Sequence, residues 1–151
     1  MNADAADVYA EHAHEVVRFA SVLAGPSSAE DIAAIVMARV LRGDAWRSVD
    51  NLRAYLFRAV TNEVRSQSRA DRRRWTREAL AGPAQAASDQ ETLVDVLDAL
   101  RRLSVRQRAV IYLTYWLGMR ADEVARTLDV SLRTVERELT SARGRLEVLL
   151  R

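Results

Sequence analysis

Apolar side chains recur every three to four residues along most of this 151-residue chain, the spacing of one face of an α-helix. No segment alternates apolar and polar residues for long enough to predict a strand. The pattern therefore predicts an all-α fold. The predicted helices cover about residues 5–24, 29–42, 50 into an arginine cluster at 65–77, 89–100, 104–117, 121–128 and 132–149.

Capping residues, glycine and proline mark where the predicted helices begin and end. Ser27 and Ser28 precede Glu30 and Asp31, and Ser104 precedes Gln107, which are two candidate capping boxes. Asp89 is a candidate N-cap. The Gly-Pro pair at 82–83 breaks any helix, so we predict two helical domains at 1–80 and 89–151, joined by a linker at 81–88. Since a short Ala-rich linker does not fix an orientation, we expect partners to set the placement of the two domains.

Composition excludes several classes of protein. Because the chain has no cysteine, it has no disulfide, no thiolate nucleophile and no Cys-ligated zinc. Its two histidines, His12 and His14, do not share a helix face, and no Gly-rich phosphate loop is present. We expect neither catalysis nor a cofactor or metal site. No apolar run approaches the roughly 20 residues that span a bilayer, and no signal peptide is visible, so we expect a cytoplasmic protein without membrane insertion.

Charge is segregated along the chain although the net charge is only +2. Residues 1–38 carry −5, 39–77 carry +7, 78–100 carry −5 and 101–151 carry +5. Within the second block four arginines share one helix face and form either a ridge that follows a phosphate backbone or a solubilising face. They are Arg65, Arg69, Arg72 and Arg73.

Residues 121–143 fit a helix-turn-helix. Val124 and Leu128 would face the core from the first helix and Val135 from the second, while Asp129 tolerates the left-handed conformation of the tight turn. Ser131 can cap the second helix, whose exposed side chains would then face a major groove. Spacing alone leaves an ordinary helical hairpin as the alternative.

Two stretches together resemble the extracytoplasmic-function group of bacterial sigma factors. LDALRRLSVRQRAVIYLTYWLGMRADEVARTLDVSLRTVERELTSARGRL resembles sigma region 4. The first half resembles sigma region 2 through VYAEHAHEVVRFASVLAG, AEDIAAIVMARVL and DNLRAYLFRAVTNEVRSQSRADRRR. Two unrelated motifs in the family's order cover nearly the whole chain.

The resemblance implies a protein that binds core RNA polymerase, directs it to a promoter and helps to open the duplex. The AEDIAAIVMARVL helix would dock on the coiled coil of the polymerase clamp through Asp31, Ile35, Met37 and Arg39. Here the chain departs from the family, because Ala34 and Ile35 stand where Gln and an acidic residue are usual. An anti-sigma factor is a further implied partner.

The resemblance also implies two DNA contacts. A −10 base would be flipped out of the non-template strand near Asn51, Arg53, Tyr55, Asn62, Arg65, Arg69, Arg72 and Arg73. For Tyr55, Trp46 and Trp75 a packing role is an equal alternative. The −35 element would meet Ser131, Arg133, Thr134, Arg137 and Arg143.

The −35 helix departs from the family as well. Glu136 and Glu138 occupy positions that are commonly basic, whereas Arg133 and Arg137 replace small residues. Altered −35 specificity or weaker DNA affinity would follow. Two alternatives stay open: a sigma-like decoy or adaptor that has lost promoter binding, and an ordinary helix-turn-helix regulator.

Overall fold

The computed structural model describes residues 4–81 and 88–151, and the side chains of residues 4–68 and 95–151. These ranges hold helices and turns but no strand, which confirms the all-α prediction. The elements are α1 (Ala5–Ala24), α2 (Pro26–Arg42), a 3-10 turn (Ala45–Ser48), α3 (Leu52–Ala81), α4 (Ser88–Arg101), α5 (Val105–Ile111), a π-helical turn (Tyr112–Trp116), α6 (Ala121–Leu128) and α7 (Leu132–Leu149). Most of the predicted linker, 81–88, lies outside the described residues, so the domain boundaries stay a prediction.

The start of α2 differs from the sequence prediction. No side-chain cap is present at Ser27 or Ser28, because Pro26 already opens the helix behind Gly25, whose φ is 93°. Proline suits the first helical position since the N–H there has no helical partner. Asp31 is consequently the sixth residue of α2 and lies beyond the first turn, where the macrodipole favours a carboxylate most.

The N-termini of α5 and α4 test two more of the predicted caps. The Ser104 and Gln107 capping box is confirmed, with Gln107 N–H donating to Ser104 Oγ at 3.1 Å and Ser104 N–H donating to Gln107 Oε1 at 3.1 Å. The proposed N-cap at Asp89 is wrong, because α4 already begins at Ser88. Local hydrogen-bonding chemistry therefore predicts the start of α5 to the residue and the start of α4 to within two residues.

The helix after Ser104 does not run uniformly to Leu117 as predicted. It widens after Ile111 into the π-helical turn and ends before Gly118, whose φ is 66°. The wider turn keeps Tyr112 and Leu113 buried, while Tyr115 and Trp116 are 58% and 66% exposed. Such turns are frequent at functional sites.

Helices α1, α2 and α3 pack around the ring of Phe19. Its centroid lies 4.7 Å from that of Phe57, and both side chains are fully buried. Trp46 from the 3-10 turn is buried too, with the Arg47 guanidinium 4.5 Å above its ring. Trp46 is thus a packing residue, and base stacking by it is excluded in this arrangement.

The second half packs onto the first, so one cluster of buried residues spans both. The ring of Tyr112 lies 5.4 Å from Phe19, and burial raises the pKa of its phenol. On α3, Arg58 donates to the carbonyl of Arg126 at 2.7 Å and to that of Thr127 at 3.2 Å. An arginine of the first half thereby binds two carbonyls of the last turn of α6, where the regular helical hydrogen bonds end.

We expect Arg58→Ala to lower the free energy of unfolding by about 1–3 kcal/mol, because two charge-assisted hydrogen bonds between the halves are lost. Urea denaturation measures this. Arg42→Ala is the matched control, since it removes the same charge from an exposed position. Equal destabilisation by both variants would contradict a specific contact of Arg58.

Glu63 on α3 joins α2 to α3 and predicts a pH dependence. It accepts from Gln67 at 2.8 Å and from Arg39 of α2 at 3.0 Å. The Gln67 hydrogen bond, followed by that of Arg39 and its charge, lowers the Glu63 pKa below 4.5 despite burial. A lowered carboxyl pKa stabilises the fold above 4.5, and this contribution is lost as pH falls through the folded-state pKa.

We therefore expect the difference in melting temperature between the native chain and Glu63→Gln to shrink as pH falls from about 7 to about 3. Thermal unfolding monitored by circular dichroism measures both proteins at each pH. Parallel curves over the whole range would show that the Glu63 carboxylate does not stabilise the fold.

Candidate nucleic-acid interface

The turn between α6 and α7 has the geometry of a helix-turn-helix. Asp129 adopts φ 55° and ψ 50°, the left-handed conformation predicted for it, and Val130 N–H donates to Ala125 O at 3.0 Å. This bond closes α6 as in a Schellman motif. Val124 and Val135 are fully buried and hold the two helices together.

Ser131 caps α7 as predicted. Its Oγ accepts from the backbone N–H of Thr134 at 3.1 Å and lies 2.8 Å from the Thr134 hydroxyl. The Ser131 hydroxyl therefore satisfies a backbone N–H at the start of α7, and the Thr134 hydroxyl contacts the Ser131 hydroxyl. Either hydroxyl keeps further capacity for a hydrogen bond, because an oxygen of this type has one donor and two lone pairs.

Arg133 and Arg137 lie on the exposed face of α7, opposite the buried Val135. They are four residues apart and hence neighbours on the helix surface. Arg137 approaches Glu138 only at 3.8 Å, with its own side chain 68% exposed. Both guanidinium groups stand at the solvent edge of the motif, where a groove would meet them. Glu136 is exposed on the same helix, whereas the Glu138 side chain is 18% exposed.

Arg143 is less available than the sequence predicts. Its Nε donates to the hydroxyl of Tyr115, and its guanidinium carbon lies 5.5 Å from the centre of that ring. Tyr115 comes from the π-helical turn, 28 residues earlier in the chain. Arg143 is exposed but held in one orientation by this aromatic side chain.

Two of the predicted −10 residues have structural partners. Asn51 precedes α3, and its Oδ1 accepts from Ala54 N–H at 3.0 Å, which is an N-cap interaction. Arg53 donates to Glu15 of α1, with its Nε 2.8 Å from Oε1, and lies over the ring of Phe57. Its charge is therefore largely compensated within the first half.

The remaining −10 residues divide into two groups. Tyr55 is half-buried, whereas Asn62 and Arg65 are exposed on α3 and face the second half across a groove. The backbone of α3 continues helically to Ala81. Its last predicted contacts, the side chains of Arg69, Arg72 and Arg73, lie outside the described side chains, as does that of Trp75.

The predicted polymerase-binding residues on α2 do not all reach the surface. Asp31, Ile35 and Arg39 are exposed along one face, with Ile35 at 41%. Met37 is only 1% exposed and packs in the core, because it lies on the opposite face of the helix. Met37 is thus wrong as a surface contact. Arg39 already binds Glu63 at 3.0 Å.

A groove of about 860 Å³ between the two halves was missed at the sequence level. First-half residues on one wall include Asn62 and Arg65, and the other wall comes from the segment around α5 and from α7. The net charge of +5 on residues 101–151 indicated that the second half is basic. Only the packing of the halves shows that some of its arginines converge on the same space as Arg65.

The described part of the chain holds neither a candidate metal site nor a candidate membrane-spanning helix. No group of three His, Cys, Asp or Glu side chains within these residues could hold a metal ion. No helix among them is long and apolar enough to cross a membrane.

Comparison with known proteins assigns both halves. Residues 8–74 match the family model described as sigma-70 region 2, and residues 93–146 match that of sigma-70, region 4. RNA polymerase sigma factor NccH of Alcaligenes xylosoxydans is 28% identical over 124 residues, which cover 70% of this chain and 67% of NccH. RNA polymerase sigma factor CnrH of Cupriavidus metallidurans is 31% identical over 128 residues, with 70% of this chain and 67% of CnrH covered.

Solved structures agree with the sequence relatives. The sigma factor RpoE of Bartonella quintana, crystallised with the anti-sigma factor NepR, has a TM-score of 0.69 at 27% identity over 96% of this chain and 95% of its own. CnrH in complex with the cytosolic domain of CnrY has a TM-score of 0.67 at 25% identity, covering 97% and 86%. The chain therefore belongs to the sigma-70 family, within the extracytoplasmic-function group of RNA polymerase sigma factors.

Proposed function

We propose that this alternative sigma factor, which directs transcription initiation, reads its promoters through two surfaces. The −35 surface is the exposed face of α7, and the −10 surface is the face of α3 that carries Tyr55, Asn62 and Arg65. The observation that carries the proposal is the intact helix-turn-helix, whose capped second helix exposes Arg133 and Arg137 side by side. Core RNA polymerase and promoter DNA are the partners that this function requires.

For the −35 element, Arg133 and Arg137 are the residues that read bases. Arginine binds the O6 and N7 atoms of guanine through two parallel hydrogen bonds in the major groove. Among the side chains that the structure describes, neither arginine has a close ion pair that would have to break first; the carboxylate of Glu138 lies 3.8 Å from Arg137. Ser131, Thr134 and Arg143, which are already engaged within the protein, contact the phosphate backbone in this proposal.

For the −10 element, the proposal narrows to Tyr55, Asn62 and Arg65 and the arginines that follow on α3. Asn62 and Arg65 are exposed and one helical turn apart, so they can bind one strand together. Arg53 and Asn51 act indirectly, because they fix the start of α3 against α1. Flipping a base costs a few kcal/mol, which polar contacts and stacking would offset.

The exposed face of α2 is the surface that we assign to core polymerase. Asp31 and Arg39 lie at its polar positions, with Ala34 and Ile35 exposed between them. An apolar centre within a polar rim is the usual composition of a protein interface. The family's clamp coiled coil is the partner expected for this face.

The relatives crystallised with NepR and CnrY support one more partner. We propose that an anti-sigma factor of this class also controls the present chain, and that the protein acts in the cytoplasm with polymerase. Catalysis by the chain itself has no place in this function.

Asp31→Arg tests the polymerase surface. We expect affinity for core polymerase to fall by more than about tenfold, because a reversed charge at an interface costs several kcal/mol. Helical content should stay the same, since Asp31 lies beyond the first turn of α2. Glu11→Arg, an exposed position on α1 with the same charge reversal, is the control. Unchanged core binding by Asp31→Arg would remove α2 from the interface.

Arg133→Ala and Arg137→Ala test the −35 surface in reconstituted holoenzyme. Each should weaken binding to a matched promoter by about 1–3 kcal/mol and have little effect on a template with a scrambled −35 element. Arg72→Ala should instead weaken binding to both templates and lower the salt dependence by about one phosphate contact. Equal losses on both templates for Arg133 and Arg137 would make them backbone anchors and move base reading elsewhere.

A further inference from the structure

The groove between the two halves is lined by arginines, of which the proposed promoter contacts include only Arg65. Six guanidinium groups line a volume of about 860 Å³, and Glu138 is the only carboxylate among the described lining residues. The six belong to both halves of the chain. They are Arg65 from α3, Arg101, Arg102, Arg106 and Arg108 from the end of α4 through α5, and Arg145 from α7.

Most of this charge is not neutralised by carboxylates. Arg101 pairs with Asp98 at 3.3 Å. The guanidinium groups of Arg65, Arg102 and Arg106 make no ion pair or hydrogen bond within the part of the chain whose side chains are described. Arg145 donates to an amide oxygen, that of Gln107, at 3.2 Å. Arg108 donates to the backbone carbonyl of Arg101 at 3.1 Å, and burial lowers its pKa to about 10, which leaves it charged at neutral pH.

We propose that this arginine groove binds a small anion that carries several phosphate groups. Like charges held in a concave site raise the local potential and favour a multivalent counter-ion. Guanidinium groups bind phosphate oxygens through paired hydrogen bonds, and Asn62 and Ser66 add amide and hydroxyl donors on the same wall. The volume lies in the range of small-molecule sites.

The inner wall of the groove is apolar but closed. Leu23, Ile32 and Val105 line it together with the arginines, and all three are buried, so they offer a ligand almost no apolar surface. The arginine rim therefore carries the binding, and inorganic polyphosphate and the phosphates of a nucleotide would use the same contacts.

Because the lining comes from both halves, the anion binds only when the halves are packed together. Its binding therefore stabilises this arrangement by mass action. Asn62 and Arg65 also belong to the proposed −10 surface, so the bound anion would compete with the promoter strand. Only this competition depends on the proposed function; the anion site does not.

Isothermal titration of the free full-length chain tests the proposal, with inorganic tripolyphosphate and a nucleoside triphosphate as separate probes at one ionic strength. We expect one anion per chain. Arg102→Gln with Arg106→Gln should weaken binding at least about tenfold, since charge-assisted contacts are lost. Arg42→Gln with Arg151→Gln removes the same charge outside the groove and should change affinity less than about twofold. We expect the two probes to bind with similar affinity, since the arginines recognise the phosphate groups that both carry.

Several results would overturn the proposal. These are absence of binding, binding of several anions per chain, and equal losses in the groove variant and its control. If the double variant does not fold, Arg65→Gln replaces it, because that side chain is exposed. The anion should also raise the midpoint of urea unfolding of the native chain, and no shift at saturating anion would contradict the site. No polymerase or promoter is present, so the result is independent of the proposed function.

Discussion

Phe19 holds the two halves of this sigma factor together. Its fully buried ring packs on Phe57 of α3 on one side and on Tyr112 of the second half on the other. Aromatic pairs at such distances contribute beyond their buried area. Because α3 and the segment leading to the helix-turn-helix both rest on this ring, the positions of the two proposed DNA-reading helices depend on it. The Arg58 contact with the end of α6 reinforces the same junction.

The packed arrangement decides which arginines can meet DNA. Arg53 donates hydrogen bonds to Glu15, and Arg58 donates to backbone carbonyls of α6. Arg143 donates to the hydroxyl of Tyr115. Arg133 keeps its charge at the surface of the motif. Arg65 keeps its charge as well, but faces a groove that the second half closes. The promoter strand that we propose for α3 would therefore need the space that the second half occupies in this arrangement.

Local signals predicted the helices well, since caps and apolar periodicity act within a few residues. The bounds of α1, α6 and α7, the left-handed Asp129 and the Ser131 cap follow from such signals. A capping box at Ser27 or Ser28 was wrong because Pro26 starts the helix earlier. The prediction that Met37 contacts polymerase was wrong, because Met37 lies on the face of α2 that packs in the core. The domain boundaries and the individual promoter contacts stay predictions.

Partners distant in sequence could not be predicted from the chain. Glu15 lies 38 residues from Arg53, and Tyr115 lies 28 residues from Arg143, so no short-range pattern pairs them. The π-helical turn that presents Tyr115 has no simple sequence signature. The arginine groove exists only because the halves meet. Composition indicated the charges, and tertiary packing determines which of them are compensated.

Run-off transcription tests the central claim most directly. Purified core polymerase is combined with the full chain on a genomic fragment selected by the reconstituted holoenzyme. The account predicts a transcript with one defined start, which depends on the chain and is lost with Arg133→Ala combined with Arg137→Ala. Binding to core polymerase without any transcript would contradict it and identify the chain as a sigma-like decoy.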